Sequence, residues 1–140
     1  MNVKDELNKI RVMSRLIDSN QRQIKELEHL KLNIKSPTIT GMPKQKGLTE
    51  SDKLESIIVK IDKLEEDIRD NVTELVELRK YWLVEVDKLD YEDQLLIKLR
   101  YFEDMSWPEV ASIMNYDIRQ LHRHHGRILQ KMSLNVTKCH

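Results

Sequence analysis

Apolar residues in the first quarter of the chain recur at steps of three and four: Val3, Leu7, Ile10, Met13, Ile17, then Asn20, Ile24 and Leu27. That spacing lays one stripe along one face of a helix, and it continues less cleanly from Leu30 to Ile34. A second series is more regular: Leu54, Ile57, Ile61, Leu64, Ile68, Asn71, Leu75, Leu78 and Trp82 alternate steps of three and four without a break. This is a heptad seam held for about four heptads, which predicts a coiled coil. A helix from 51 to 88 would be roughly 57 Å long at 1.5 Å per residue, so it needs a partner. Between the two series, Ser36 to Leu48 carries Pro37, Pro43, Gly41 and Gly47 and no acidic residue. It reads as a loop, with Thr49 or Ser51 placed to cap the second helix. Lys44 and Lys46 lie there, where a solvated linker explains them better than a phosphate contact.

Two partners suit the long helix: the first helix, in an antiparallel hairpin, or a second copy of the chain. The polar residues in the two seams favour the hairpin. If Leu27 faces Leu64, then Asn20 faces Asn71, Met13 faces Leu78 and Ile34 faces Ile57. A polar pair at one position costs stability and fixes alignment. Ile58, Val72, Val76, Val84 and Val86 lie beside the seam and leave a second face for a homo-oligomer contact or for docking of the C-terminal residues.

The C-terminal third changes character. Ser106 can N-cap a helix, with Glu109 completing a capping box and Pro108 tolerated in the first turn. Val110, Ala111, Ile113 and Met114 form its apolar face. Asn115 suits a left-handed stop, and Asp117 can cap the next helix with Gln120 in the reciprocal position. Projected at about 100° per residue, Ile118, Leu121, Ile128, Leu129 and Met132 share one face. Arg119, Gln120, Arg123, Arg127, Gln130 and Lys131 share the other. A basic face alone is usually a solvated face. Joined to a capped partner helix by a three-residue turn, it predicts a helix-turn-helix that lays its second helix in the DNA major groove. The DNA-binding residues are then Arg119, Gln120, Arg123, His124, Arg127 and Lys131. Ser106 and Trp107 are candidates for contact with the DNA backbone, although packing of Trp107 on Phe102 and Tyr101 accounts for it at least as well.

Residues 90 to 132 resemble region four of the bacterial sigma factors. The resemblance rests on Glu92-Asp93-Gln94-Leu95-Leu96-Ile97-Lys98-Leu99-Arg100-Tyr101, on Ser106-Trp107-Pro108-Glu109-Val110-Ala111, on Arg119-Gln120 and on Ile128-Leu129-Gln130-Lys131-Met132. More loosely, the whole chain is similar to late-transcription regulators of phages and their satellites, of the ArpU and RinA kind, including the segment Ser36-Pro37-Thr38-Ile39-Thr40-Gly41-Met42-Pro43. It departs from sigma region four at His122, His124, His125 and Gly126, so base preferences do not carry over. The resemblance implies activation of late genes together with host RNA polymerase, in the cytoplasm of a bacterial host.

Composition narrows the remaining classes. Lysine plus arginine and aspartate plus glutamate balance at 24 each, so attraction to DNA must be local rather than global. The single cysteine, Cys139, excludes an internal disulfide framework and fits a reducing compartment. No apolar stretch is long enough to span a membrane. His122, His124 and His125 with Cys139 and His140 invite a metal reading, but neighbours one and two apart on a helix diverge, and no His-x-x-x-His or Cys-x-x-Cys pair exists. By projection His125 lies on the apolar face, His122 at its edge, and His124 toward solvent or DNA. No phosphate-binding glycine loop or nucleophile signature is present, so no catalytic residue, metal or cofactor is expected.

The sequence therefore predicts an all-α protein. A helical hairpin or coiled-coil arm, residues 1–88 with a linker at 36–49, precedes a helix-turn-helix domain at 89–134 and a tail at 135–140. The expected function is a DNA-binding transcriptional regulator whose partners are double-stranded DNA, RNA polymerase and further copies of itself. Two alternatives remain: a small terminase-like packaging subunit, and a sigma-like protein that binds polymerase or a repressor without touching DNA.

Overall fold

The computed structural model describes residues 2–35 and 49–138. The expected linker therefore lies outside the described residues apart from Thr49, as do Lys44, Lys46, the Ser36–Pro43 segment, Cys139 and His140. All regular structure among the described residues is helical: α1 (Val3–Lys35), α2 (Glu50–Asp87), α3 (Tyr91–Ile97), α4 (Trp107–Met114) and α5 (Ile118–Lys138), with a π-helical turn at Lys98–Phe102 following α3. No helix among them is long and apolar enough to cross a membrane.

Local side-chain chemistry sets the helix starts. The Asn2 side chain accepts from the Lys4 amide at 3.0 Å and opens α1. Thr49 and Asp52 form a reciprocal capping box: the Asp52 amide donates to Thr49 Oγ1 at 3.1 Å, and the Thr49 amide donates to Asp52 Oδ2 at 3.3 Å. At the far end of α2, Gln94 Nε2 donates to the carbonyls of Leu89 and Asp87, at 2.7 and 3.3 Å, meeting acceptors that a helix end leaves open.

The chain packs as two compact units, one joining residues 1–14 with 74–140 and the other formed by residues 15–73. The boundary expected at residue 88 falls inside the first unit. Its physical cause is the apolar stripe of the helix ends: Val3, Leu7, Ile10, Met13, Leu75, Trp82 and Val86 are buried there, as are Leu89, Leu96, Ile97, Leu99 and Tyr101. Lys9 pairs with Glu74 at 2.9 Å, and Arg11 Nε donates to Asp104 Oδ1 at 2.8 Å. Arg79 lies over the Phe102 ring, 5.5 Å from its centre.

In the second unit the seam residues are the inward ones. Ile17, Asn20, Ile57 and Ile61 are buried, and Ile24, Leu27, Leu54, Leu64, Ile68 and Asn71 are half-buried. Leu27 and Leu64 line one cleft, with Leu30 and Val59 beside them.

Of the expected tail at 135–140, residues 135–138 belong to α5, and Cys139 and His140 lie outside the described residues. Helix α5 runs to Lys138 because Val136 extends the buried series Leu121, His125, Ile128 and Met132 by one more step of four. Ile113 and Ile118, both placed on apolar faces by projection, are 52% and 42% exposed.

Candidate nucleic-acid interface

The segment from Met105 to Lys138 is built from three local devices. Ser106 has extended backbone, and its hydroxyl accepts from the Glu109 amide at 3.3 Å, with proline in the first turn of α4. Asn115 ends α4 at φ 59°, ψ 39°, the left-handed region that asparagine tolerates better than most residues, and the Tyr116 amide closes back on the Ala111 carbonyl at 3.0 Å. Asp117 Oδ1 then accepts from the Gln120 amide at 2.8 Å, while Gln120 Oε1 accepts from the Asp117 amide at 3.4 Å. The turn between α4 and α5 is thus Asn115-Tyr116-Asp117, fixed at both ends.

Helix α5 divides cleanly by face. Leu121, His125, Ile128 and Met132 are buried. Arg119, Gln120, Arg123, Arg127 and Lys131 are exposed, so the structure keeps the predicted basic stripe together on one surface. Tyr116, Gln120, Arg123, His124 and Arg127 line an open cleft along it.

The predicted residues are not equally free. Projection places His124 toward solvent or DNA. It is half-buried instead, with Nε2 2.9 Å from Asp93 Oδ1 on α3 and Nδ1 3.2 Å from an Arg127 amino nitrogen. Lys131 Nζ lies 3.5 Å from Asp93 Oδ2, which offsets part of its charge. Asp93 itself is 5% exposed, and its two oxygens face these two cations or donors. Tyr116, from the turn, donates its hydroxyl to Glu92, and that bond raises the phenol above its ordinary range. Two residues of α3, Glu92 and Asp93, therefore hold both the turn and the exposed face of α5.

Trp107 is half-buried, and a cation and two histidine rings surround its indole. The Arg100 guanidinium sits over its ring at 4.4 Å, and the His122 and His125 rings lie at 4.9 and 4.6 Å. Tyr101 stacks on the same His125 ring at 5.7 Å between ring centres. Arg100 is aimed from the π-helical turn, where the Glu103 amide reaches the Lys98 carbonyl at 2.9 Å, and it also donates to the Met105 carbonyl at 2.9 Å. The Ser106 hydroxyl, exposed, is engaged in its own cap.

Sequence reasoning missed Asp93, Glu92, Tyr116 and Arg100. A usable signal existed for Asp93: Leu89, Asp93, Leu96 and Ile97 fall at helical spacing, so an acid stands in an apolar stripe and requires partners. Among the described residues no group of three or more His, Cys, Asp or Glu side chains is arranged to hold a metal ion. No protein-family model, curated protein or solved structure is significantly similar to this chain.

Proposed function

We propose that this protein is a sequence-specific DNA-binding transcriptional regulator in which α4, the Asn115–Asp117 turn and α5 act as a helix-turn-helix. One observation carries the reading: α5 presents Arg119, Arg123 and Arg127 on its exposed face, opposite a buried face of Leu121, His125, Ile128 and Met132, directly after a capped helix and a three-residue turn. A helix held in this way meets the geometric need of the major groove, and its arginines match guanine edges and phosphates. The balanced net charge agrees with local rather than global attraction. The remaining helices α1 and α2 serve as a hairpin arm for assembly with further copies. The resemblance to sigma region four and to phage late-transcription regulators supports activation of late genes beside a bacterial RNA polymerase.

Selection of bound duplexes from a random-sequence DNA pool tests the reading. A recovered consensus, with affinity falling steeply as salt rises, is the expected result. Recovery of no sequence preference would overturn it. Solution mass measurement separates the packaging alternative, since a ring of eight or more copies is expected there and a dimer or tetramer here.

A further inference from the structure

Three side chains form a relay from the interior of the fold to the basic cleft. Asp93, buried on α3, accepts at Oδ1 from His124 Nε2 at 2.9 Å, and His124 Nδ1 faces an Arg127 amino nitrogen at 3.2 Å. The chemistry of these partners fixes the ring's proton. A guanidinium only donates, so Nδ1 must be the acceptor, and a carboxylate only accepts, so Nε2 must carry the hydrogen. Both bonds are made by one tautomer of the neutral ring and by no other. The second Asp93 oxygen is occupied by Lys131 at 3.5 Å, which leaves Oδ1 to His124.

Resting on the DNA-binding reading, we propose that Asp93 is a positioning residue: it sets the His124 tautomer and thereby aims Arg127 into the cleft as one wall of a phosphate seat. The cleft supplies what such a seat needs. Arg127 brings the charge that a phosphate oxygen needs, and Tyr116, Gln120, Arg123 and His124 line the cleft with it. Glu92 accepts the Tyr116 hydroxyl, so that donor is already engaged within the protein. An arginine on an exposed helix face otherwise loses much of its rotamer freedom when it is fixed. A guanidinium already tethered at one amino group loses less, and it retains further N–H donors for a phosphate oxygen. The ligand is a backbone phosphate of duplex DNA, whose sequence this contact does not read.

The test uses the full chain in two measurements. Long-range proton–nitrogen NMR correlations report the His124 tautomer without DNA. The Nε2–H form is expected in the wild type and in Asp93→Asn, which retains an acceptor, and a mixture of forms in Asp93→Leu, which has none. A double-mutant cycle then measures affinity for the selected duplex with Asp93→Leu and Arg127→Ala, singly and together. Removing a negative charge near DNA acts alike in both backgrounds and cancels. The relay leaves a coupling of at least about threefold, because Asp93 acts through Arg127. Should Asp93→Leu fail to fold, His124→Phe keeps a ring and lacks Nδ1, and it enters the same cycle.

An Nδ1–H ring in the wild type, or equal effects of Asp93→Leu with and without Arg127, would overturn the relay while leaving DNA binding intact. Absence of any duplex binding by the wild-type chain would overturn the functional reading and the phosphate seat with it. The tautomer measurement would then still decide whether Asp93 orients His124.

Discussion

Tyr101 Oη and His125 Nε2 share a buried hydrogen bond of 2.6 Å, with their rings stacked 5.7 Å apart. The bond ties the π-helical turn after α3 to the middle of α5, and Trp107 closes it edge-on from α4. Burial, reinforced by Lys4, His122 and Arg100, pushes the His125 imidazole down to about 4. Burial likewise pushes the Tyr101 phenol up to about 12.

The His125 shift has a direct consequence for stability. The unfolded imidazole takes up a proton near its ordinary 6.5, whereas the folded one resists until about 4. The contribution is therefore fully present above 6.5 and is lost as pH falls through 4. We expect the wild-type chain to lose on the order of 1–3 kcal/mol from this group between pH 7 and 4. The reference is the double variant Tyr101→Phe with His125→Phe, which leaves no orphaned hydroxyl. Thermal melts across that range should show the wild type falling more steeply; parallel curves would contradict the assignment.

The turn between α4 and α5 offers a second measurement. Asp117→Ala removes the acceptor for the Gln120 amide and should cost about 1 kcal/mol of unfolding free energy. Asn115→Gly should be tolerated, since its φ of 59° suits glycine, whereas a β-branched Asn115→Val is expected to destabilise by about 1 kcal/mol or more. Urea melts of the three variants check the order. A stabilising Asn115→Val would show that the left-handed stop is not needed.

These caps were legible in the sequence because each depends on residues three or four apart. Ser106, Asn115, Asp117 and Gln120 announce themselves by type and spacing. The inward seam positions Ile57, Ile61, Leu75 and Trp82 emerged equally from periodicity alone. The hidden features depend on distant partners. Asp93 and His124 are 31 positions apart, and Arg11 and Asp104 are 93 apart, so no local pattern joins them. The π-helical turn at Lys98–Phe102 escaped for another reason: it shifts the face on which Arg100 and Tyr101 emerge, and a uniform 100° projection carries no such shift.

The hairpin reading makes a prediction for the second unit. Leu27 and Leu64 line one cleft, so cysteines replacing both should be joined by a short bifunctional reagent within one chain. Products of doubled mass only would favour a bundle between subunits. Asn20 is 8% exposed and Asn71 half-buried, so Asn20→Leu with Asn71→Leu should raise the melting temperature while loosening the oligomer state or alignment. A lower melting temperature with unchanged assembly would remove any registry role for the pair.

The exposed face of α5 gives the sharpest functional contrast. Early residues of a recognition helix reach base edges, and later ones approach the backbone. Arg119, Gln120 and Arg123 are accordingly assigned to base readout, with Arg127 and Lys131 assigned to phosphate. Arg123 lines the open cleft, whereas Lys131 is drawn toward Asp93 at 3.5 Å. Arg123→Ala should cost about 1–3 kcal/mol on the selected site and relax preference at one base pair. Lys131→Ala should weaken all sequences alike and lower the salt slope by roughly one at most, because Asp93 already competes for its charge. Affinities on matched and mismatched duplexes over a salt series distinguish these two kinds of change. Equal, sequence-independent losses for both variants would refute the division of roles along the helix, and unchanged binding in both would remove α5 as the reading element.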